Sequence, residues 1–245
     1  MNKKVLMFHD VYRDSCAESG FQSIGANHYK INETLFTEQL KSFSRSSLIW
    51  TFDDGGVSFY SVIAPLLEQY NLRGHFFVVT DCIGSEGFLS AEQIRELYNR
   101  GHVIGSHSAS HPENLGSLSY EARKEEWTKS VTFLNGLIGT QITEVSIPNG
   151  YFDFGDIPVL RELGISKVYT SSLLDDYEKG SIQVVGRIGI DSSFSPLRIK
   201  QILSGGWLYK RLIVRQKVLC LLKRIMGHNY LTVKAFVRRL GKEQL

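Results

Sequence analysis

Two adjacent aspartates occupy the point in this sequence where chemistry is most strongly indicated. Asp53 and Asp54 follow the apolar run Leu48–Phe52 and precede Gly55 and Gly56. Buried paired carboxylates are costly unless they bind a metal, form ion pairs or hold a proton, so this position indicates a functional site. Because successive strand residues point to opposite faces, both carboxylates can serve one site only if the strand ends and the chain bends there. A polar turn after an edge strand is the alternative interpretation.

Two histidines, His107 and His111, reduce the weight of that alternative. They lie four residues apart and follow the short apolar run 102–105, a spacing that places both imidazoles on one side of a turn. Two imidazoles and one carboxylate form the three-ligand set of a catalytic zinc-type site with a position left for water. The sequence therefore predicts a metal centre formed by an Asp-Asp loop and a His-x-x-x-His loop, each following a strand.

These motifs resemble those of a known family, the polysaccharide deacetylases with NodB homology, which form carbohydrate esterase family four. The matching segments are Thr-Phe-Asp-Asp-Gly at 51–55, Arg-Gly-His-Phe-Phe-Val at 73–78 and Ser-His-Ser-Ala-Ser-His at 106–111. The resemblance covers roughly residues 4 to 190. It is specific because the first and last of these motifs occur together.

The resemblance implies a role for each motif residue. Asp53 would be the catalytic base, and Asp54, His107 and His111 would hold a divalent metal. Zinc is the default metal for this ligand set, and cobalt or nickel would suit it as well. Asn149 would lie at the substrate, where its main-chain N–H would stabilise the oxyanion of the reaction.

The leaving amine also needs a proton donor. The family usually supplies one from a late Leu-x-His motif, which this sequence lacks after residue 111. His9, in Val-Leu-Met-Phe-His-Asp, resembles that motif moved to the N-terminus. This order is similar to the circularly permuted branch of the family, which includes poly-N-acetylglucosamine deacetylases. Asp10 is expected to orient the His9 imidazole, and a His9 that merely ends a strand is the alternative.

The third motif departs from the family pattern. Where the family has Arg-x-Pro-x-Gly, residues 146–150 read Ser-Ile-Pro-Asn-Gly, so the arginine that orients the base is missing. A misplaced base lowers the rate on the order of a hundredfold. Arg187, in the last predicted strand, is a candidate to reach the same place. It is therefore grouped with Asn149 among the residues expected at the substrate side of the site.

Strand and helix patterns alternate along the chain. Short apolar runs predict strands at Val5–Phe8, Leu48–Phe52, His75–Val79, His102–Gly105, Glu144–Ile147, Lys167–Thr170 and Val184–Ile190. Helical spacing fills the intervals, with a cap at Asn32 and a capping box formed by Ser90 and Gln93. This alternation predicts an α/β fold, a distorted (β/α)7-type barrel of parallel strands with its chemistry at the strands' carboxyl ends. An open doubly wound sheet is the structural alternative.

Charge is distributed unevenly along the 245 residues. Residues 1–191 contain 24 acidic and 16 basic side chains, whereas residues 192–242 contain 12 Lys and Arg and no Asp or Glu. The difference predicts a deacetylase barrel at 1–191 and a basic helical extension at 192–245, including a helix over Trp207–Met226. The extension either packs on the barrel or binds an anionic membrane surface. Nucleic acid is not expected as a partner, because the acidic body carries no binding motif.

Composition also limits the class and the location of the protein. Hydrophobic residues make up 42% and charged residues 22%, which is typical of a chain with a full core. No run reaches the ~18 apolar residues of a membrane span, and the first ten residues are too polar for a secretion signal. Three widely spaced cysteines argue against a disulfide framework. We therefore expect a cytoplasmic protein, membrane-associated if the basic extension binds lipid.

Together these features predict a metal-dependent hydrolase. Its reaction would remove N-acetyl groups from an acetamido sugar of a polysaccharide, oligosaccharide or lipid-linked glycan precursor. Two alternatives remain open at this stage: an O-acetyl esterase on the same metal site, and a carbohydrate-binding protein on a catalytically decayed barrel. The missing motif arginine is what makes the second alternative reasonable.

Overall fold

A computed structural model of the chain describes residues 4–226, with side-chain surroundings up to residue 218. The chain divides into two units, Met1–Ile199 and Lys200–Leu245. The strands are β1 (Lys4–Phe8), β2 (Val11–Tyr12), β3 (Ile31–Asn32), β4 (Leu48–Phe52), β5 (Gly74–Val78), β6 (Val103–Ser106), β7 (Glu144–Ser146), β8 (Lys167–Thr170), β9 (Asp176–Lys179), β10 (Ile182–Gly186) and β11 (Ile188–Gly189). The helices are α1 (Ile24–Tyr29), α2 (Glu33–Phe43), α3 (Ala64–Gln69), α4 (Ala91–Asn99), α5 (Tyr120–Ile138), α6 (Ile157–Glu162), α7 (Pro196–Leu203) and α8 (Trp207–Met226).

Nine of these strands form one curled sheet in the order β11-β1-β4-β5-β6-β7-β8-β10-β9. Neighbouring strands are parallel except for β10 and β9, which pair antiparallel. β10 pairs with β8 and β11 pairs with β1, and only Arg187 separates β10 from β11. Arg187 therefore lies where the chain passes from the strand next to one end of the sheet to the strand at the other end. The predicted α/β class with parallel strands is confirmed, and β2 and β3 form a separate parallel pair.

Local sequence explains where the main helices begin and end. Asn32 accepts a hydrogen bond from the main-chain N–H of Leu35 at the start of α2. Ser90 and Gln93 form a reciprocal capping box at the start of α4. Gly139, at φ 71°, ends α5 in the left-handed conformation that glycine adopts without steric cost. Both predicted caps are therefore confirmed.

Aromatic packing fixes β1 and β4 side by side. Phe8, Trp50 and Phe52 of these strands pack with Phe36 of α2, with ring centroids 5.4 to 6.2 Å apart. All four side chains are fully or almost fully buried. Burial of one such side chain stabilises the fold by about 1.5–3 kcal/mol. The packing therefore holds the carboxyl ends of these two strands next to each other.

Three elements differ from the sequence-based expectation. The predicted strand Val184–Ile190 is broken into β10 and β11, because the segment leaves β8 and joins β1 part-way along. The antiparallel strand Asp176–Lys179 was not predicted, because its residues are mostly exposed and show no apolar alternation. The apolar spacing of residues 57–70 indicates a single helix, whereas the structure has a π-helical stretch, Phe59–Ile63, followed by α3. Pro65 lies in the first turn of α3, where its missing N–H is tolerated.

The second unit is described as far as Met226. Its helix α8 has the bounds predicted from sequence, Trp207–Met226. No helix within residues 4–226 combines the length and apolar content that a membrane span requires. The part of the predicted basic extension at 227–245 lies outside the described residues.

Candidate metal centre

The carboxyl ends of the parallel strands bring the predicted site residues to one edge of the sheet. His9 follows β1, Asp53 and Asp54 follow β4, and His107 follows β6. The turn that carries Asn149 follows β7 at the same edge. Parallel strands impose this arrangement, because all their carboxyl ends point the same way.

The backbone bends at Asp54 itself. Asp54 has φ 85° and Gly55 has φ 81°, and a left-handed conformation costs a residue with a Cβ about 1–3 kcal/mol. The bend removes Asp54 from the side-chain alternation of β4, so its carboxylate and that of Asp53 can serve one site. A side chain at residue 55 would also crowd Val78 of β5, so glycine meets both a backbone and a steric requirement there.

Three side chains form a possible ligand set for a metal ion. The donor atoms of Asp54, His107 and His111 all lie within 4.8 Å of one another. Asp54 Oδ1 is 3.4 Å from His107 Nε2 and 3.5 Å from His111 Nε2. Ligands at about 2.0–2.1 Å from a tetrahedral zinc ion stand about 3.3–3.4 Å apart, so the observed separations fit one shared cation.

Hydrogen bonds and charge prepare these side chains for a cation. His107 Nδ1 donates to the Ser146 carbonyl oxygen at 2.9 Å, so Nε2, which lies 3.4 Å from Asp54 Oδ1, is the ring nitrogen that could bind a cation. Burial and then the charge of His107 lower the pKa of His111 to about 4. Burial alone would raise the pKa of Asp54, but interactions led by His107 hold it well below its usual range. Burial alone would lower the pKa of His107, but its interactions with Asp53 and Asp54 outweigh burial and raise the pKa.

Asp53, the candidate base, is buried and paired with Arg187. Two hydrogen bonds of 2.7 Å join Nη1 and Nη2 of the guanidinium to Oδ1 and Oδ2 of the carboxylate. Ser146 Oγ donates to Asp53 Oδ2 at 3.0 Å and accepts from Arg187 Nη2 at 2.7 Å. Burial alone would raise the pKa of Asp53, but Arg187 outweighs that effect and lowers it. The carboxylate is therefore ionised and held in one orientation.

Arg187 uses all five of its N–H donors inside the protein. Besides its bonds to Asp53 and Ser146, it donates to Thr51 Oγ1 and to the Thr170 carbonyl, both at 3.1 Å. Its side chain has 0% exposure. This burial excludes direct contact with a substrate, which was one of the two placements that the sequence suggested. The other placement, beside the base in the position of the missing motif arginine, agrees with the geometry.

His9, the candidate proton donor, lies close enough to the acid pair to affect it. Its positive charge contributes to the low pKa of both Asp53 and Asp54. One face of its ring packs on Tyr29, with centroids 4.9 Å apart. Its Nδ1 atom is buried and has no hydrogen-bond partner in the described part of the chain.

Asp10, the residue expected to orient His9, is engaged elsewhere, and that expectation is wrong. Its Oδ1 accepts from Ser19 Oγ at 2.5 Å and from Ser58 Oγ at 2.7 Å. Adjacent residues of an extended chain point in opposite directions, which is why Asp10 turns away from the His9 ring. Lys30 Nζ donates to the Ser19 carbonyl at 2.6 Å, so this buried cluster ties the segment 13–30 to the rim of the site.

Asn149 lies in the turn after β7. Its φ is 53°, its side chain is exposed, and its Nδ2 donates to the Pro112 carbonyl at 3.4 Å. This contact places Asn149 next to the loop that carries His111. The role expected for its main-chain N–H stays a prediction.

Two aromatic residues of the segment 13–30 also pack on the site, and sequence reasoning did not single them out. The ring centroid of Phe21 lies 5.1 Å from that of His111. The ring centroid of Tyr29 lies 4.9 Å from that of His9. Residues 11–30 are polar and without a clear period, so their sequence predicts only a loop that covers the site mouth. The structure forms β2 and α1 within these residues. Isolated aromatic residues in such a loop give no signal about what they contact.

A family model described as polysaccharide deacetylase matches residues 41–168 of the sequence. The chain belongs to the polysaccharide deacetylase family. The peptidoglycan-N-acetylglucosamine deacetylase of Bacillus cereus is 32% identical over 98 residues, which are 40% of this chain and 34% of that protein. The poly-beta-1,6-N-acetyl-D-glucosamine N-deacetylase of Staphylococcus aureus is 22% identical over 157 residues, 59% of this chain and 54% of that protein. The chain thus spans about half or less of the length of these relatives.

Solved deacetylase structures share the fold. The Streptococcus pyogenes deacetylase PplD, solved in complex with acetate, superposes with a TM-score of 0.68 at 20% identity, covering 81% of this chain and 96% of that one. IcaB from Ammonifex degensii superposes with a TM-score of 0.63 at 21% identity, covering 80% and 94%. At these identities the likeness shows the α/β fold of the chain alone.

Proposed function

We propose that the chain is a metal-dependent hydrolase that removes N-acetyl groups from an acetamido sugar of a glycan. The observation that carries the proposal is the convergence of a three-ligand set and a rigidly held carboxylate at one edge of the sheet. Two relatives support the substrate class, since both are named as deacetylases of N-acetylglucosamine polymers. An N-acetylated saccharide is therefore the proposed substrate.

The proposed cation is zinc, held by Asp54, His107 and His111. One carboxylate and two imidazoles are the donors of a catalytic zinc site, and their mutual separations fit a shared ion. A cation bound there would lower the pKa of the attacking water and polarise the acetyl carbonyl.

The chain's own residues would divide the proton transfers between them. Asp53, which Arg187 holds in one orientation, would accept the proton of the attacking water. His9, whose ring packs on Tyr29 with centroids 4.9 Å apart, would give a proton to the leaving amine. The main-chain N–H of Asn149 would stabilise the oxyanion.

Acetate release from N-acetylglucosamine oligomers, measured together with metal content, tests the proposal. Asp53→Asn is expected to abolish turnover while the protein keeps its metal, whereas His111→Ala is expected to lose both. An O-acetyl esterase would release acetate only from acetyl esters, and a decayed barrel would bind oligomers without releasing any. Wild-type protein that binds no metal, or acetate release that survives chelation, would contradict the proposal.

We also propose that α8 contacts an anionic lipid surface. Three exposed apolar side chains lie on one stripe of this helix: Trp207 at 72%, Val214 at 60% and Val218 at 50% exposure. Spacings of seven and four residues place them on the same side of an α-helix. Exposed cations lie on both sides of the stripe: Lys210 and Lys217 on one, Arg211 and Arg215 on the other. An apolar stripe between two rows of cations suits the headgroup boundary, where each cation contributes about 1 kcal/mol at an anionic surface.

Vesicle co-sedimentation tests this second proposal. The full chain is expected to bind vesicles containing phosphatidylglycerol and not vesicles of phosphatidylcholine alone, with binding lost at high salt. Trp207→Ser should weaken the binding, whereas Lys41→Gln, which removes a cation outside α8, should leave it unchanged. Equal binding to both kinds of vesicle, or to neither, would remove the proposal without affecting the proposed hydrolase activity.

A further inference from the structure

The loop that carries the two candidate imidazole ligands has an irregular backbone. Ser108 and His111 both adopt positive φ values, 64° and 57°, which residues with a Cβ rarely do. Such conformations persist only where surrounding contacts impose them. The convergence of His107 and His111 on Asp54 therefore depends on whatever holds this loop.

Glu126, in the second turn of α5, holds the loop at its centre. Its Oε2 accepts hydrogen bonds from the main-chain N–H groups of Ala109 at 3.0 Å and Ser110 at 2.9 Å. Its Oε1 accepts from Ser110 Oγ at 2.7 Å. Both N–H groups lie between the two histidines. One carboxylate thus satisfies two adjacent main-chain donors in the only stretch that separates the ligands.

Further contacts hold the loop from the same helix and from the opposite side. Ser130 lies one turn after Glu126 on α5, and its Oγ is 2.6 Å from Ser106 Oγ. Ser106 Oγ in turn accepts a hydrogen bond from the main-chain N–H of Ser108 at 3.1 Å. On the other side, the N–H of Asp81 donates to the Ala109 carbonyl at 2.9 Å. Among these contacts, Glu126 is the side chain that accepts hydrogen bonds from two adjacent main-chain N–H groups of the loop and from a hydroxyl group of the same loop.

We propose that Glu126 is a positioning residue for the metal site: it fixes the 107–111 loop so that both imidazoles face the same cation. The inference rests on the proposed metal centre and adds to it a residue with no contact to the cation. Loss of an outer partner of a metal ligand typically weakens metal binding by about 10- to 100-fold. We expect a change of that size when Glu126 is removed.

The test measures the zinc dissociation constant of the full chain by competition with a chromophoric chelator. Glu126→Ala is expected to raise the constant at least about tenfold. Glu126→Gln is expected to stay within about threefold of wild type, because its carbonyl oxygen can still accept both main-chain N–H groups. Glu125→Ala, which removes an exposed carboxylate one residue away, is the matched control and is expected to bind zinc as wild type does.

The outcomes separate this inference from the proposed function. An unchanged zinc dissociation constant in Glu126→Ala would overturn the inference. If Glu126→Gln weakened zinc binding as much as Glu126→Ala does, the charge of Glu126 and not its hydrogen bonds would be responsible, and the inference would be overturned as well. If Glu126→Ala fails to fold in the metal-free state, Glu126→Asp provides the same test with a side chain one methylene too short to reach the loop. Wild-type protein that binds no zinc would instead remove the proposed metal centre.

Discussion

Replacing Arg187 by methionine is expected to leave the candidate base without its partner. Asp53 would lose two 2.7 Å charge-assisted hydrogen bonds in a position where neither side chain is more than 3% exposed. Removal of one partner of a buried ion pair destabilises a protein by about 3–5 kcal/mol, because the remaining charge has no compensation. Urea unfolding of the metal-free protein is the measurement.

The same substitution is expected to lower kcat for acetate release about a hundredfold, since the base would no longer be held in line with the attacking water. That factor corresponds to about 2.7 kcal/mol of transition-state stabilisation. Metal content should be unchanged, because the five hydrogen bonds of Arg187 go to other residues than the three candidate ligands. Arg187→Lys should fall between wild type and methionine, because an ammonium keeps the charge and loses the two-point geometry.

A double variant gives the sharpest form of this test. Ser146 occupies the place of the motif arginine and already contacts both Arg187 and Asp53. Exchanging the two residues, Ser146→Arg with Arg187→Ser, would return the guanidinium to the family's position and is expected to recover part of the lost activity. Ser146→Arg alone should be destabilising, because two guanidinium groups would share one buried space.

Two results would refute this reasoning. Turnover of Arg187→Met within about threefold of wild type would show that the ion pair does not orient the base. A double variant no more active than Arg187→Ser would show that a guanidinium from β7 cannot replace the one at the junction of β10 and β11.

Three further predictions concern the rest of the molecule. Burial alone would raise the pKa of Glu144, but its bonds to His75 at 2.6 Å and Lys167 at 2.8 Å outweigh burial and lower the pKa. The stabilisation from ionised Glu144 is therefore present above the ordinary pKa of 4.5 and is lost as pH falls through the pKa of the folded state. Glu144→Gln should lower the free energy of unfolding at pH 7 by about 1–3 kcal/mol and make that free energy decline less steeply below pH 5. Tyr29→Ala should lower kcat about two- to fivefold through loss of the ring face packed on His9, whereas Tyr29→Phe should not. Zinc at about a hundred times its dissociation constant should raise the free energy of unfolding by about 2.7 kcal/mol, an effect that chelation reverses. Wild-type values for Glu144→Gln or Tyr29→Ala, a lowered kcat for Tyr29→Phe, or no shift with zinc would contradict the corresponding prediction.

Much of the fold follows from local pattern. Apolar runs placed six strands close to their observed bounds, and side-chain caps at Asn32 and Ser90 marked two helix starts. β9 lay beyond such reasoning because a polar edge strand has no apolar alternation to read. The break between β10 and β11 lay beyond it as well, because a strand that changes partners keeps one continuous sequence pattern.

The sequence by itself determined the chemical groups of the site. The types and spacing of Asp53, Asp54, His107 and His111 predicted an acid pair facing two imidazoles, and these side chains do converge. Spacing suffices to group Asp53 with Asp54, which are adjacent, and His107 with His111, which lie on one short loop.

Only the tertiary structure decided what holds those groups in place. Arg187 pairs with Asp53 across 134 residues, and Glu126 holds the His107–His111 loop from a separate helix. The tertiary structure also pairs Asp10 with Ser19 and Ser58 and not with His9. The physical reason is that these partners are far apart in sequence. The curled sheet and the packing of the helices bring them together, and the sequence of one segment does not show which other segment it will contact.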